Sequence, residues 1–208
     1  MRERTVRMQI LQVTELDKKR IRVVLEDGVN FVLYKGEGKR YDIREEAELS
    51  QEQYEEIYHE ILVKRARRRT LHLLEKMDRT EAQLRMKLRQ GLYGEELIDN
   101  AIEYVKSFHY LDDARYARNY VRSQRDRKSR RKIQAELAGK GIDRELVEQA
   151  LEEEYRQETE RDLILKWVEK KHYSGEQADL KEKQRMYQFL MRKGFHSDDI
   201  LHVLDYLT

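Results

Sequence analysis

The sequence predicts a mainly α protein: a tandem array of three three-helix repeats, preceded by a small antiparallel β extension and a long linking helix. Three observations carry this. A gapless internal repeat runs through the last two thirds of the chain, strand-forming residues are confined to its start, and charge is too abundant for one thick core. Charged residues make up 40% of the 208 positions and hydrophobic ones 39%, with no proline. That mixture suits exposed amphipathic helices, because too few apolar side chains remain to fill a large interior.

The repeat is read by aligning Leu84–Ile102, Ile133–Leu151 and Met186–Leu204 without gaps. Apolar positions coincide at Leu84/Ile133/Met186, Leu88/Leu137/Leu190, Tyr93/Ile142/Phe195 and Ile98/Val147/Ile200. Each copy reads as a helix, a turn with glycine and a second helix. A further amphipathic segment leads each one, at about 64–77, 112–127 and 158–172. Gly141 and Gly194 share a register, whereas in the first copy Gly91 comes one place early and Leu92 takes the slot. The turn at Ala138–Ile142 invites comparison with a phosphate-gripping helix–hairpin–helix. Lys140 occupies its hydrophobic position, however, and a glycine C-cap is the simpler reading. A unit of this size is marginal alone, so neighbours are expected to stack into an elongated, curved array.

Before the repeats, residues 6–14, 19–26 and 29–34 carry strand-forming residues, and Asp27-Gly28 marks a hairpin. Lys35–Leu49 reads as a loop, and its Gly-Glu-Gly-Lys stretch lacks the first glycine and the Ser/Thr of a phosphate-binding loop. Ser50 with Gln53 matches a capping box, from which a helix is expected to run unbroken to about residue 77. The expected segments are 1–49 for the β extension, 50–109 for the long helix and first repeat, 110–156 for the second repeat and 157–208 for the third.

Chemistry finds little to stand on. The six histidines form no HExxH, and His196 and His202, six apart, fall on different helical faces. No nucleophile elbow or glycine-rich strand–helix turn occurs. The expectation is a binding protein, not an enzyme, with no cofactor and no metal site. Absence of cysteine fits a reducing compartment, and no apolar run approaches the ~20 residues that span a bilayer. A cytoplasmic protein with no membrane partner is expected, and nothing in the sequence demands more than a monomer.

The net charge of +2 averages over separated blocks. Lys64–Arg69 holds five basic residues, and Glu145–Glu160 holds seven acids against one arginine. Tyr110–Lys132 is the most basic stretch, with nine basic and three acidic residues. At about 100° per residue, Arg115, Arg118, Arg122 and Arg125 fall on one helical side, opposite Tyr116, Ala117, Tyr120 and Val121. Asp112 and Asp113 suit the helix start.

Tyr110, Leu111, Asp112, Asp113, Arg115, Tyr116, Ala117 and Val121, the basic run after them and the Lys-Gly turns resemble the RecX family of RecA regulators. The resemblance covers about 64–208, and the N-terminal extension is similar to one found in some members. It implies a protein that binds RecA filaments on single-stranded DNA in their groove. There it would mainly inhibit ATP hydrolysis, strand exchange and the coprotease activity behind the SOS response. The residues picked to meet RecA or DNA are Arg115, Arg118, Arg122 and Arg125, flanked by Arg67, Arg68 and Arg69 and by Arg130, Arg131 and Lys132. Tyr116 and Tyr120 are assigned to the core. Two alternatives stay open: a sequence-nonspecific protein that binds single-stranded DNA directly, and a helical adaptor for an unrelated partner.

Overall fold

Alternating burial builds the N-terminal sheet. The structure, a computed structural model, describes residues 7–155, 160–175 and 178–207. In β2 (Arg20–Leu25) Ile21, Val23 and Leu25 point inward while Arg20, Arg22 and Val24 alternate with them. Strand β3 (Asn30–Tyr34) buries Phe31 and Leu33 in the same way. The β2–β3 turn forms at Asp27-Gly28 as expected: Gly28 takes φ +85°, and the Asp27 carboxylate accepts from Val29 N–H at 3.0 Å. Strand β1 (Arg7–Glu15) pairs antiparallel with β2.

The stretch expected as a loop is structured. Lys35–Arg40 forms a short helix, α1, and Glu48–Ser50 forms a fourth strand, β4, antiparallel to β1. The sheet order is thus β3-β2-β1-β4. Two glycines hid α1, since glycine lowers helix propensity. Here Glu37 reaches back to accept from Tyr34 N–H at 2.8 Å, and a Cβ on Gly38 would stand 2.7 Å from the Ile21 side chain. Close packing explains the glycine.

Ser50 and Gln53 form the expected reciprocal capping box at 3.2 and 3.1 Å. The helix behind it runs on through α2 (Gln51–Glu56), a π-helical stretch (Ile57–Val63) and α3 (Lys64–Lys76). The wider π turn has a physical use: Ile57 and Leu62 are five apart, a spacing that an ordinary α turn would splay. Both are buried. The sheet and the first repeat, completed by α4 (Glu81–Gln90) and α5 (Glu95–Ser107), share one core from Met8 through Leu111. Residues 1–111 form one compact unit and 112–208 a second.

The second unit holds α6 (Asp113–Gln124), α7 (Arg130–Gly139) and α8 (Arg144–Glu154), then α9 (Glu160–Lys170), α10 (Leu180–Lys193) and α11 (Ser197–Tyr206). Each trio has its own core, and Tyr155 packs against both. Asp112, Ser129, Asp143 and Asp179 cap their helices through side-chain oxygens. The first residue of the strand expected from 6, and residues 158–159 of the segment expected from 158, lie outside the described residues.

The repeat register survives in backbone detail. Tyr93, Ile142 and Phe195 donate their N–H groups to Leu88, Leu137 and Leu190 carbonyls at 3.2, 3.3 and 3.4 Å. This is one helix-ending bond made three times, and the residue before each donor turns left-handed: Leu92 at φ +63°, Gly141 at +79° and Gly194 at +93°. The displaced Gly91 keeps φ −81°.

Candidate protein and nucleic-acid interface

Helix α3 presents a basic ridge whose members have unequal freedom. Arg65 donates to the Val32 carbonyl at 3.0 Å and to both Glu37 oxygens at 2.5 and 2.6 Å, and it covers the Tyr34 ring. It is a tether between the sheet and α3. Arg67 donates to Asn100 at 2.9 Å and lies over Tyr104, tying α3 to α5. Arg68 and Arg69 are exposed, without ion-pair partners among the described residues. They border a cavity of about 510 Å³ together with Tyr34, Lys64, His72 and Tyr93.

In α6 the amphipathic reading holds. Ala117 and Val121 are buried, and Asp112 accepts from the Arg115 N–H at 2.8 Å. Tyr116 and Tyr120 are half-buried with nearly parallel rings 6.4 Å apart, packed against the second repeat's core. The Tyr120 hydroxyl donates to Glu136 at 2.6 Å. Burial first and that bond second push the Tyr120 pKa up. Burial works against the Glu136 carboxylate. Its bonds to Lys128, at 2.8 and 2.9 Å, and to Tyr120 prevail and hold its pKa below the ordinary range.

The arginine stripe is largely engaged within its own repeat. Arg122 grips Glu154 through two bonds of 3.1 and 2.5 Å. Arg125 donates to the Glu154 backbone carbonyl at 3.0 Å and sits 3.7 Å from its carboxylate, while Arg118 stands 4.0 Å from Glu153. The Arg122 bonds above all hold the Glu154 pKa down, with charge from Arg122, Arg125 and Arg118 adding to the effect. Arg115 stands exposed in the first turn. The structure thus joins Arg118, Arg122 and Arg125 to the acidic end of α8, and sequence blocks that looked like separate faces meet. Farther on, Arg131 is exposed, Lys132 is half-buried and Arg130 donates its backbone N–H to Glu160 at 3.1 Å.

The second and third repeats meet at Ser129. This buried residue donates its hydroxyl to the Gly194 carbonyl at 2.7 Å and its N–H to the Lys193 carbonyl at 3.2 Å. Beside the contact lies a basic cluster that sequence reasoning missed. Lys170, Lys171 and Lys193 cover an edge-to-face pair of rings, Trp167 and Phe189, 5.2 Å apart. A signal existed, since Lys193-Gly194 repeats Lys140-Gly141 in register.

Comparison with known proteins gives one family along the chain. Residues 66–104 match the first three-helix domain of RecX, 112–151 the second and 158–204 the third. The regulatory protein RecX of Caldanaerobacter subterraneus subsp. tengcongensis is 33% identical over 164 residues, covering 78% of this chain and 81% of that one. A crystal structure of a regulatory protein RecX shares the fold with TM-score 0.59 at 24% identity, over 95% of this chain and 99% of that one. The crystal structure of RecX from Lactobacillus salivarius gives TM-score 0.57 at 26% identity, over 70% and 96%. Among the described residues, no helix is long and apolar enough to cross a membrane.

Proposed function

The chain belongs to the RecX family, and we propose that it is a non-enzymatic regulator of the RecA recombinase. It binds the filament RecA forms on single-stranded DNA, in its groove, and lowers ATP hydrolysis, strand exchange and SOS coprotease activity. It works in the cytoplasm as a monomer. The observation that carries this reading is the family match across all three repeats, with the fold of two RecX crystal structures behind it.

Repeated helical units support it physically, because several modest contacts on one chain add through effective concentration. Charged ridges then set orientation and encounter rate. The proposed contact residues are Arg68, Arg69 and Arg131, which are exposed and carry no ion pair among the described residues, with Arg67, Arg130 and Lys132 beside them. Arg115 joins them, and Arg118, Arg122 and Arg125 do so by exchanging intramolecular carboxylates for those of the partner.

The test is RecA ATPase on single-stranded DNA, titrated with this protein at substoichiometric ratios beside naked-DNA binding at the same salt. Inhibition well below one molecule per RecA is expected. Arg68→Glu/Arg69→Glu should weaken it, and Glu154→Gln, which releases Arg122, should strengthen it. Inhibition that appears only once the DNA is coated would transfer the function to direct DNA binding. No effect at any ratio would overturn the reading.

A further inference from the structure

The aligned repeats differ at one position that changes the electrostatics of the turn. Leu137 and Leu190 share a register, so Glu136 of α7 corresponds to Phe189 of α10. In the second repeat Glu136 neutralises Lys128 beside Tyr120, under Lys140. In the third repeat the tyrosine's place, one residue before the buried valine, is taken by Trp167, and the acid's place by Phe189. The lysines remain. Lys193 lies 4.4 Å from the Trp167 ring centre and 5.4 Å from that of Phe189, with Lys170 and Lys171 at 5.2 and 5.1 Å.

None of these three lysines, nor Arg127, has a carboxylate partner among the described residues. Burial, then the charges of Lys128, Arg127, Lys171 and Lys170, hold the Lys193 pKa below its ordinary value. Ring faces attract ammonium groups but carry no net charge to balance them. A cavity of about 560 Å³ adjoins the cluster through Lys171 and Phe189 and is also lined by Arg185, His172 and Tyr173. Its one acid among the described residues, Glu182, serves the cap of α10 by accepting from Asp179 N–H at 3.3 Å. Among the described residues, the Tyr173 hydroxyl and the Trp167 indole N–H are buried without hydrogen-bond partners.

We propose that the third repeat holds a nucleotide-binding site, with the phosphate on Lys171 and Lys193 and the base against the Trp167–Phe189 rings. A nucleotide unit supplies both missing partners at once: a compact anion for uncompensated cations and a π face for aromatic rings. The unit comes either from a single strand or from a free nucleotide. This site stands apart from the RecA reading, and its test uses no RecA.

Trp167 is the chain's single tryptophan, so its emission reports the site directly. The full chain is titrated with a thymidylate homopolymer, with thymidine monophosphate and with polyaspartate. Quenching by the homopolymer alone assigns the site to strand, and quenching by the monophosphate as well assigns it to free nucleotide. Lys171→Gln/Lys193→Gln should weaken homopolymer binding by about tenfold and reduce the slope of log K against log salt by about 1.4, at ~0.7 per phosphate contact. Phe189→Glu, which restores the acid of the second repeat, should abolish quenching. Unchanged emission with both nucleotide probes, equal quenching by polyaspartate, or homopolymer affinity unaltered in the folded double-lysine variant would each overturn the proposal.

Discussion

Replacing Gly194 by alanine tests whether the second and third repeats are held together by the contact at Ser129. Two costs combine. Gly194 sits at φ +93°, where an L residue costs about 1–2 kcal/mol. A Cβ there would also stand 2.5 Å from Lys132 Cβ and 2.7 Å from Ser129 Oγ, so the turn must retreat from the start of α7. Retreat breaks the Ser129 hydroxyl's bond to the Gly194 carbonyl and leaves a buried donor unpaired, worth about 1–3 kcal/mol. The expected loss is therefore about 2–5 kcal/mol. Gly141, at φ +79° and exposed, is the internal control and should lose only the conformational part of about 1–2 kcal/mol when changed to alanine. Urea unfolding followed by circular dichroism and by Trp167 emission measures both. With slopes of about 1–3 kcal/mol per M, a difference of 2 kcal/mol moves the midpoint by about 1 M. Ser129→Ala should cost much less in the Gly194→Ala background than alone. Equal costs for the two glycine variants, or full additivity with Ser129→Ala, would refute the role given to this contact.

Two further predictions concern stability. Leu92 holds the left-handed slot that glycine fills in the other repeats and is exposed, so Leu92→Gly should raise stability by about 0.5–1 kcal/mol, read from the urea midpoint. The Glu136 carboxylate has a depressed pKa in the folded state, so its contribution is present above the unfolded value of about 4.3 and lost as pH falls through the folded one. Thermal melts of Glu136→Gln and the parent should differ at pH 7 and converge as the pH falls below the folded-state value. Curves that stay parallel through the acid range would contradict the assignment.

Much of the fold was legible because apolar spacing and turn chemistry agree. Leu84/Leu88, Ile133/Leu137 and Met186/Leu190 are all buried, and the Ser50–Gln53 and Asp27-Gly28 signals sit where the sequence places them. Helix α1 and strand β4 were not legible, since their reasons are tertiary: Gly38 is there to clear Ile21, and β4 exists only as a partner for β1. The π-helical stretch left its mark in the five-residue spacing of Ile57 and Leu62, which an α-period reading smooths over. The site was less readable than the fold. Helical periodicity places Arg118, Arg122 and Arg125 on one side of α6 but cannot say what covers that side.

What covers it is the end of α8, and this changes how charge in such repeats should be read. A basic first helix and an acidic third helix look from sequence like two binding faces. Folded into one three-helix unit they meet at Glu153 and Glu154, so most of the charge is spent internally. The Arg122 guanidinium is exposed, so solvent screens its pairing with Glu154 and the pair contributes little to stability. An external carboxylate or phosphate can replace Glu154 at small cost if it offers comparable geometry, and the pairing then acts as a filter against weak anions. Cations with no internal acid face no such competition. Among the described residues, Arg68 and Arg69 in the first unit and the lysines around Trp167 in the third repeat have no acid partner, so an anion would meet them without prior exchange. The informative feature is a cation whose repeat has lost its acid, as Phe189 in place of Glu136 illustrates, and not the density of arginines along the chain.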